Sequence, residues 1–277
     1  AWIPFYKETL DSLKHPIDSL YKTAPGGRYT IKVADQLFLR NDWRDSIWQR
    51  ILRSPLENKG RYVYSDLDFL ILQKVVEQVS GRGLDQYLQQ EFYKPMGLQF
   101  TAFNAKRNLP KAQIAPSEND LYFRYQPLQG YVHDMGAAML GGVAGHAGLF
   151  SSANEVAIIY QMLLNEGVYK GKRYLKKSTI DLFTAKYGAI SRRGLGFDKP
   201  DLPGRSSPCT DQASAKTFGH QGFTGTCVWA DPEHDLVFVF LSNRTFPTAE
   251  NKKINSLNVR ERAQSFIYSA MGIFPRR

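Results

Sequence analysis

Arg61-Tyr-Val-Tyr-Ser-Asp-Leu-Asp-Phe-Leu-Ile-Leu-Gln-Lys-Val-Val-Glu-Gln-Val-Ser-Gly81 changes period part-way along. It opens extended and aromatic. Leu67, Leu70, Ile71, Val75 and Val79 then recur at three- and four-residue steps, the apolar stripe of one helix face. Ser65 or Asp66 stands where an N-cap belongs, and Gly81 where a helix stops. The spacing predicts a buried helix entered through the rigid turn Tyr64-Ser65-Asp66, whose side chains can be aimed into a cleft. A tyrosine with a short polar residue two positions later suits a reaction centre. Read alone, the same residues describe a partly buried tyrosine beside an ordinary N-cap.

A second stretch adds to this. Phe218-Gly-His-Gln-Gly-Phe-Thr-Gly-Thr226 is rich in glycine and carries one histidine. It runs into residues 227–243, which read as a β-hairpin turning at Asp231 to Asp235. The tyrosine turn and the Gly-His-Gln-Gly strand, in this order, resemble the second and third motifs of the class C β-lactamase and penicillin-binding-protein superfamily of serine hydrolases. Those motifs are Tyr-x-Asn and Lys-Thr-Gly, the latter His-x-Gly in esterase-like branches. Gly130-Tyr-Val-His-Asp134, Gly141-Gly-Val-Ala-Gly-His-Ala-Gly-Leu-Phe-Ser151 and Arg193-Gly-Leu-Gly-Phe197 look like further segments of that superfamily, in its order. The resemblance therefore runs the length of the chain.

The resemblance implies roles. Tyr64 would shuttle protons, and His220 would occupy the Lys/His position of the third motif. The N–H of Phe223, just after Gly222, would donate to the oxyanion of an acyl-transfer intermediate. Asp66, Gln221, Gly222, Phe223 and His133 would line the substrate site. Two departures matter. Asp66 replaces asparagine and brings a negative charge when ionised, which argues against β-lactam carboxylates. His220 replaces lysine, pointing to esterase or peptidase branches, because a neutral imidazole clamps anions more weakly than an ammonium.

The nucleophile is the missing piece. The superfamily's serine and lysine come from Ser-x-x-Lys at the start of a long buried helix. This chain has one such match, Ser19-Leu-Tyr-Lys22, about the number its composition gives by chance. Thr23-Ala-Pro-Gly-Gly27 follows at once and cannot continue a helix. A Ser and Lys three apart meet only on a helix, and no Gly-x-Ser-x-Gly elbow occurs. The opening, Trp2-Ile-Pro-Phe-Tyr6, lacks methionine and resembles a segment downstream of the active serine. The expectation is that the Ser-x-x-Lys helix and first sheet strands belong to a longer parent. A free phenol, with pKa about 10, costs roughly 4 kcal/mol to deprotonate at pH 7. A neighbouring ammonium lowers that cost, so without the motif lysine this chain should be catalytically silent. The rival expectation is a non-catalytic binding domain that keeps the cleft.

Composition narrows the field. The 277 residues are 43% hydrophobic, enough for one large domain or two lobes, and no run of eighteen apolar residues could span a membrane. Net charge is +10, but the basic residues are dispersed and form no nucleic-acid motif. They suit an anionic cell envelope, and the expected setting is periplasmic or extracytoplasmic. No metal or other cofactor is expected, because no His-x-x-x-His pair occurs and His15 and His234 read as surface residues. His133-Asp134 reads as a base with its orienter or as a turn cap, and His146 as cleft-lining or structural. Cys209 and Cys227 have no metal-type spacing; a disulfide and two free thiols both fit. The expected partner is a small ester, amide or peptide substrate, the peptide one of D-amino acids, with no nucleic acid.

Along the chain, residues 1 to 60 read as polar, with short helices at Lys7 to Leu13 and Asp42 to Arg53, the latter turning Trp43, Ile47, Trp48 and Ile51 inward. Residues 84–92 read as helix and 100–135 as irregular. Helices capped by Ser152 or Asn154 and by Ser178 follow, the second turning Ile180 and Phe183 inward. Arg193 to Phe197 reads as a strand. Asn255 to Gly272 reads as a closing amphipathic helix with Leu257, Ala263, Phe266, Ile267 and Ala270 inward. The pattern is α+β: a mainly helical lobe over 1–190, then an antiparallel hairpin and packing helix over 191–277, together one β-lactamase-like domain expected to lack its N-terminal strands.

Overall fold

The computed structural model describes residues 3–56, 58–201 and 207–275. Trp2 of the aromatic opening therefore lies outside the described residues. The chain forms two compact units, residues 1–151 with 246–248, and residues 152–245 with 249–277. The segment 152–190 groups with the hairpin because its first helix packs on hairpin strands.

In the first unit, β1 (Tyr21–Lys22), β2 (Tyr29–Ala34) and β3 (Leu37–Arg40) form an antiparallel sheet in the order β1-β3-β2. The helix expected over Lys7 to Leu13 is instead a 3-10 turn, Phe5–Thr9, ahead of this sheet, whereas the one expected over Asp42 to Arg53 forms. Helices α1 (Trp43–Leu52), α2 (Leu67–Ser80), α3 (Leu84–Leu88) and α4 (Lys94–Met96) follow. The expected irregular region holds β4 (Ala102–Phe103) and the paired strands β5 (Pro116–Asp120) and β6 (Gln126–Gln129). Helix α5 (Met135–Met139) and β7 (Leu149–Phe150) complete the unit. Its core gathers Ile31, Val33, Leu39, Ile47, Ile51, Leu67, Leu70, Phe123 and Met139, with Trp43 and Trp48 packed at its edge.

Helix α2 is half-buried. It ends as expected at Gly81, in the left-handed region at φ 67°. Leu67, Leu70 and Gln73 face inward, but Ile71, Val75 and Val79 are exposed, Val79 by 84%. The inward stripe is set by Gln73, whose side chain bonds the loop at Val143 and Gly145. A polar residue thus takes the core position that the apolar count gave to Val75.

In the second unit, α6 (Ala153–Leu164) is capped by Ser152, whose hydroxyl accepts the Glu155 N–H. The two-residue strands β8 (Val168–Tyr169) and β9 (Lys172–Arg173) pair next, and α7 (Lys177–Thr184) follows. Lys176, not Ser178, is its N-cap, and Phe183 is exposed while Ile180 is buried. Residues 193–197 form no strand; a single bridge, Asp198 to Gly219, joins this segment to the sheet. The sheet is antiparallel, β10 (Phe218–Gln221), β11 (Cys227–Asp231) and β12 (Leu236–Phe240) in that order, with the turn where the sequence put it.

The closing helix is split by Asn258 into α8 (Lys253–Ser256) and α9 (Val259–Ala270). Its inward face is opposite to the expected one. Arg260, Gln264 and Tyr268 are buried, while Leu257, Phe266 and Ile267 are exposed, Phe266 by 69%. Polar bonds decide the rotation: the Tyr268 hydroxyl donates to Asp231, and Gln264 accepts the Thr210 N–H. Around them pack Trp229, Cys209, Cys227, Phe238 and Phe240. Both cysteines are buried free thiols, and burial pushes each up to about 12. The fold is α+β, with antiparallel sheets flanked by helices.

Candidate active site

Tyr64, Asp66, His133 and His146 belong to the first unit; His220, Gln221, Gly222 and Phe223 belong to the second. Tyr64 lies on the extended segment that enters α2 and is 52% exposed. Asp66 is the N-cap residue, but the capping bond runs from the Leu67 N–H to the Ser65 hydroxyl. The Asp66 carboxylate is left facing its surroundings. Burial raises its pKa, Asp134 and Asp68 raise it further, and the His146 charge opposes them.

Asp134 orients His146, not its chain neighbour His133. Oδ1 of Asp134 lies 3.0 Å from His146 Nε2 and accepts the Ala137 N–H at 2.7 Å, capping α5. Burial works to raise the Asp134 carboxyl, yet the hydrogen bond and charge of His146 outweigh it, so its pKa falls. His133 turns instead towards Glu118, 3.4 Å away, which also accepts the Tyr122 hydroxyl. The His133 carbonyl is held by Arg124, itself fully buried against Asp120. His133 is thus built into a buried ionic network.

In the second unit, side chains alternate across β10. Phe218 stacks on Tyr160 of α6, so His220 points to that face. Gln221 points to the other, where its amide donates to the Pro208 carbonyl and to Glu261 of α9. His220 Nδ1 lies 2.6 Å from the Gln221 carbonyl and Nε2 lies 2.9 Å from Arg193 Nη1. Burial lowers its pKa, and Arg193 and Arg192 add to that fall against Asp198 and the Gln221 carbonyl. Arg192 and Arg193 both grip Asp198, which is bridged to Gly219 of the same strand.

The turn after β10 is held by two guanidinium groups, that of Arg260 buried. Arg244 Nε donates to the Phe223 carbonyl at 2.7 Å and stacks 4.4 Å over the Phe223 ring. Arg260 Nη1 donates to the Thr226 and Gly222 carbonyls at 3.2 and 3.4 Å. The Gly222–Phe223 peptide is not cis, so the Phe223 N–H points opposite to the Gly222 carbonyl, away from Arg260. That is the geometry an outward-facing oxyanion donor needs. Sequence reading missed Arg193, Arg244, Arg260 and Asp198; the paired Arg192-Arg193 just before the Gly-Leu-Gly segment was the one available signal.

Ser19 and Lys22 share no helix. Ser19 lies in a turn and Lys22 in β1. Among the described residues no group of His, Cys, Asp and Glu could hold a metal ion, and no helix is long and apolar enough to cross a membrane.

The sequence profile of the family described as Beta-lactamase matches residues 20–261. A protein of Salmonella agona named putative D-alanyl-D-alanine carboxypeptidase is 33% identical over 237 residues, covering 80% of this chain and 54% of the relative. One of the same name from Escherichia coli is 31% identical over 283 residues, covering 86% and 65%. The chain therefore spans between half and two thirds of the length of these curated relatives. Among solved structures, a mutant simvastatin synthase of Aspergillus terreus shares the fold at a TM-score of 0.53 and 19% identity, covering 84% of this chain and 62% of that one.

Proposed function

This chain belongs to the β-lactamase family, and on that premise we propose that it supplies the second and third motifs of a serine hydrolase acting on an ester or amide through an acyl-serine. The carrying observation is where those motifs fold. Tyr64 and Asp66 lead into α2, and His220 lies on β10 just before the turn that carries the Phe223 N–H. In this reading Tyr64 takes the proton of the attacking serine and returns it to the leaving group. The Phe223 N–H stabilises the oxyanion, and Arg244 and Arg260 fix the turn that aims it. His220 and Asp66 line the substrate site in this reading, while Gln221, on the opposite face of β10, and His133, held against Glu118, support it.

The nucleophile is proposed to come from outside these 277 residues, because Ser19 and Lys22 lie on a turn and a strand. By itself the chain is then silent and acts as a binding lobe. The names of the Salmonella and Escherichia relatives support a D-amino-acid peptide as substrate; an extracytoplasmic setting is part of the same proposal. The test is hydrolysis of short-chain p-nitrophenyl esters and of a D-alanyl-D-alanine peptide by the full-length gene product. Turnover that falls about 10²–10⁴-fold in Tyr64→Phe supports the reading; turnover indifferent to Tyr64 sinks it.

A further inference from the structure

Past the end of β6, the first unit holds an open cavity of about 190 Å³ lined by Lys32, Asn104, Lys106, Arg107, Gly130 and Tyr131. The turn that carries two of its cations is fixed in place. Asn104 opens the turn in the left-handed region and donates its side-chain amide to the Gly141 carbonyl at 2.9 Å. Gly130 meets the turn at φ 78°, and a Cβ there would fall 2.8 Å from the Lys106 Cβ, so only glycine lets the two segments approach this closely. Two ammonium groups lie over the buried Tyr131 ring, Lys32 of β2 at 5.7 Å and Lys106 at 5.1 Å from its centre.

These cations outnumber their counter-charge. Asp35 accepts Lys106 Nζ at 2.5 Å and the Tyr131 hydroxyl at 2.6 Å. Lys32 Nζ stays 3.8 Å from the same carboxylate, beyond hydrogen-bond reach. Among the described residues no hydrogen bond or ion pair engages the Arg107 guanidinium. Burial works to raise the Asp35 carboxyl, yet the Lys106 and Tyr131 hydrogen bonds and the two ammonium charges outweigh it, so its pKa falls and it is ionised at neutral pH. Three positive charges against one negative leave two uncompensated. Donors are left over as well: an ammonium has three N–H groups and a guanidinium five.

We propose that Lys32, Lys106 and Arg107 form a binding site for a phosphate monoester. The choice of anion follows from charge and donor count. A phosphate monoester carries about −1.5 to −2 charge at pH 7 and three acceptor oxygens. It meets both the two uncompensated charges and the three donor side chains. A carboxylate or a phosphate diester brings a single charge and fewer free oxygens. The cavity is smaller than the roughly 300–1,000 Å³ of sites that enclose a whole ligand, so it takes the phosphate and leaves the rest of the ester outside. The site is built by the first unit alone and does not depend on the hydrolase reading.

The experiment follows the backbone amide signals of Asn104, Arg107 and Gly130 in the 277-residue chain by NMR, at constant ionic strength and about pH 8, where the monoester is a dianion. The probes are methyl phosphate, dimethyl phosphate and acetate. The expected result is a saturable shift with methyl phosphate, at least about fivefold tighter than with either monoanion. Arg107→Gln should weaken it at least about fivefold, and the exposed side chain lets this variant keep the fold. Asp35→Asn removes the competing carboxylate and should tighten it. Lys172→Gln, the same loss of charge on an exposed position of the second unit, should leave it unchanged. No saturation, equal affinity for a monoanion, no gain in Asp35→Asn, or a Lys172→Gln effect as large as that of Arg107→Gln overturns the proposal, since diffuse surface charge gives such results. Glucose 6-phosphate and O-phosphoserine, titrated alike, show by the tighter of the two whether a sugar or an amino acid carries the group.

Discussion

Nη1 of Arg193 lies 2.9 Å from Nε2 of His220, and a guanidinium can only donate, so the imidazole nitrogen accepts. The ring proton is therefore on Nδ1, directed at the Gln221 carbonyl 2.6 Å away. Beside β10 the permanent cation is thus Arg193, with His220 a neutral ring next to it. Replacing Arg193 with methionine should raise the His220 titration midpoint and remove one grip on buried Asp198, at about 1–3 kcal/mol of stability. Ring-nitrogen NMR and urea unfolding measure the two effects; an unmoved midpoint would show that Arg193 does not set the ring's state.

Acidification should weaken the fold in two ranges. The folded pKa of His220 lies below its ordinary value of 6.5. Its contribution is complete above about pH 6.5 and is lost as pH falls through the folded value, since the unfolded chain binds the proton first. Asp134 and Asp231 are held below the ordinary carboxylate range despite burial, so theirs is present above about pH 4 and lost below it. Urea midpoints taken from pH 8 to pH 3 should fall first near pH 6 and again below pH 4. A midpoint flat through pH 6 would contradict the neutral His220.

The Asp120–Arg124 pair is wholly buried, and Arg124 also holds the Val132 and His133 carbonyls at 2.7 Å. Arg124→Met should cost about 3–5 kcal/mol, because Asp120 would keep an uncompensated buried charge. The check is a lowered urea midpoint at unchanged slope; a loss under about 1 kcal/mol would mean that water reaches the pair.

The face of α9 gives a paired prediction. Tyr268→Phe should cost about 1–3 kcal/mol by removing a donor from buried Asp231, and Phe266→Ser should stay within about 0.5 kcal/mol. The reverse order in thermal unfolding would restore the apolar face that periodicity suggests.

That helix shows where sequence reading runs out. Hairpin 227–240, the Ser152 cap and the Gly81 stop were legible because each rests on local chemistry: a turn, a hydroxyl, a left-handed φ. The orientations of α2 and α9 were not. In both, a buried glutamine bonded to distant backbone, Gln73 to Gly145 and Gln264 to Thr210, rotates the helix against its apolar stripe. The strands of the sheet over residues 21–40 run only two, six and four residues, too short to set a clear period, with Lys22, Thr30 and Lys32 on their exposed positions. Around the proposed site, Asp134 partnering His146 and the arginines around His220 were not legible, because they depend on contacts 12 to 27 residues apart.

The central claim, a serine hydrolase whose nucleophile lies outside these 277 residues, is tested most directly by intact-mass analysis after fluorophosphonate treatment of this chain and of the full-length gene product. The account predicts an unmodified 277-residue chain. It predicts one adduct on the full-length product, at a serine outside residues 1–277, forming at least about 10²-fold more slowly in Tyr64→Phe. An adduct on any serine of this chain, or a full-length product that stays unmodified, would contradict it.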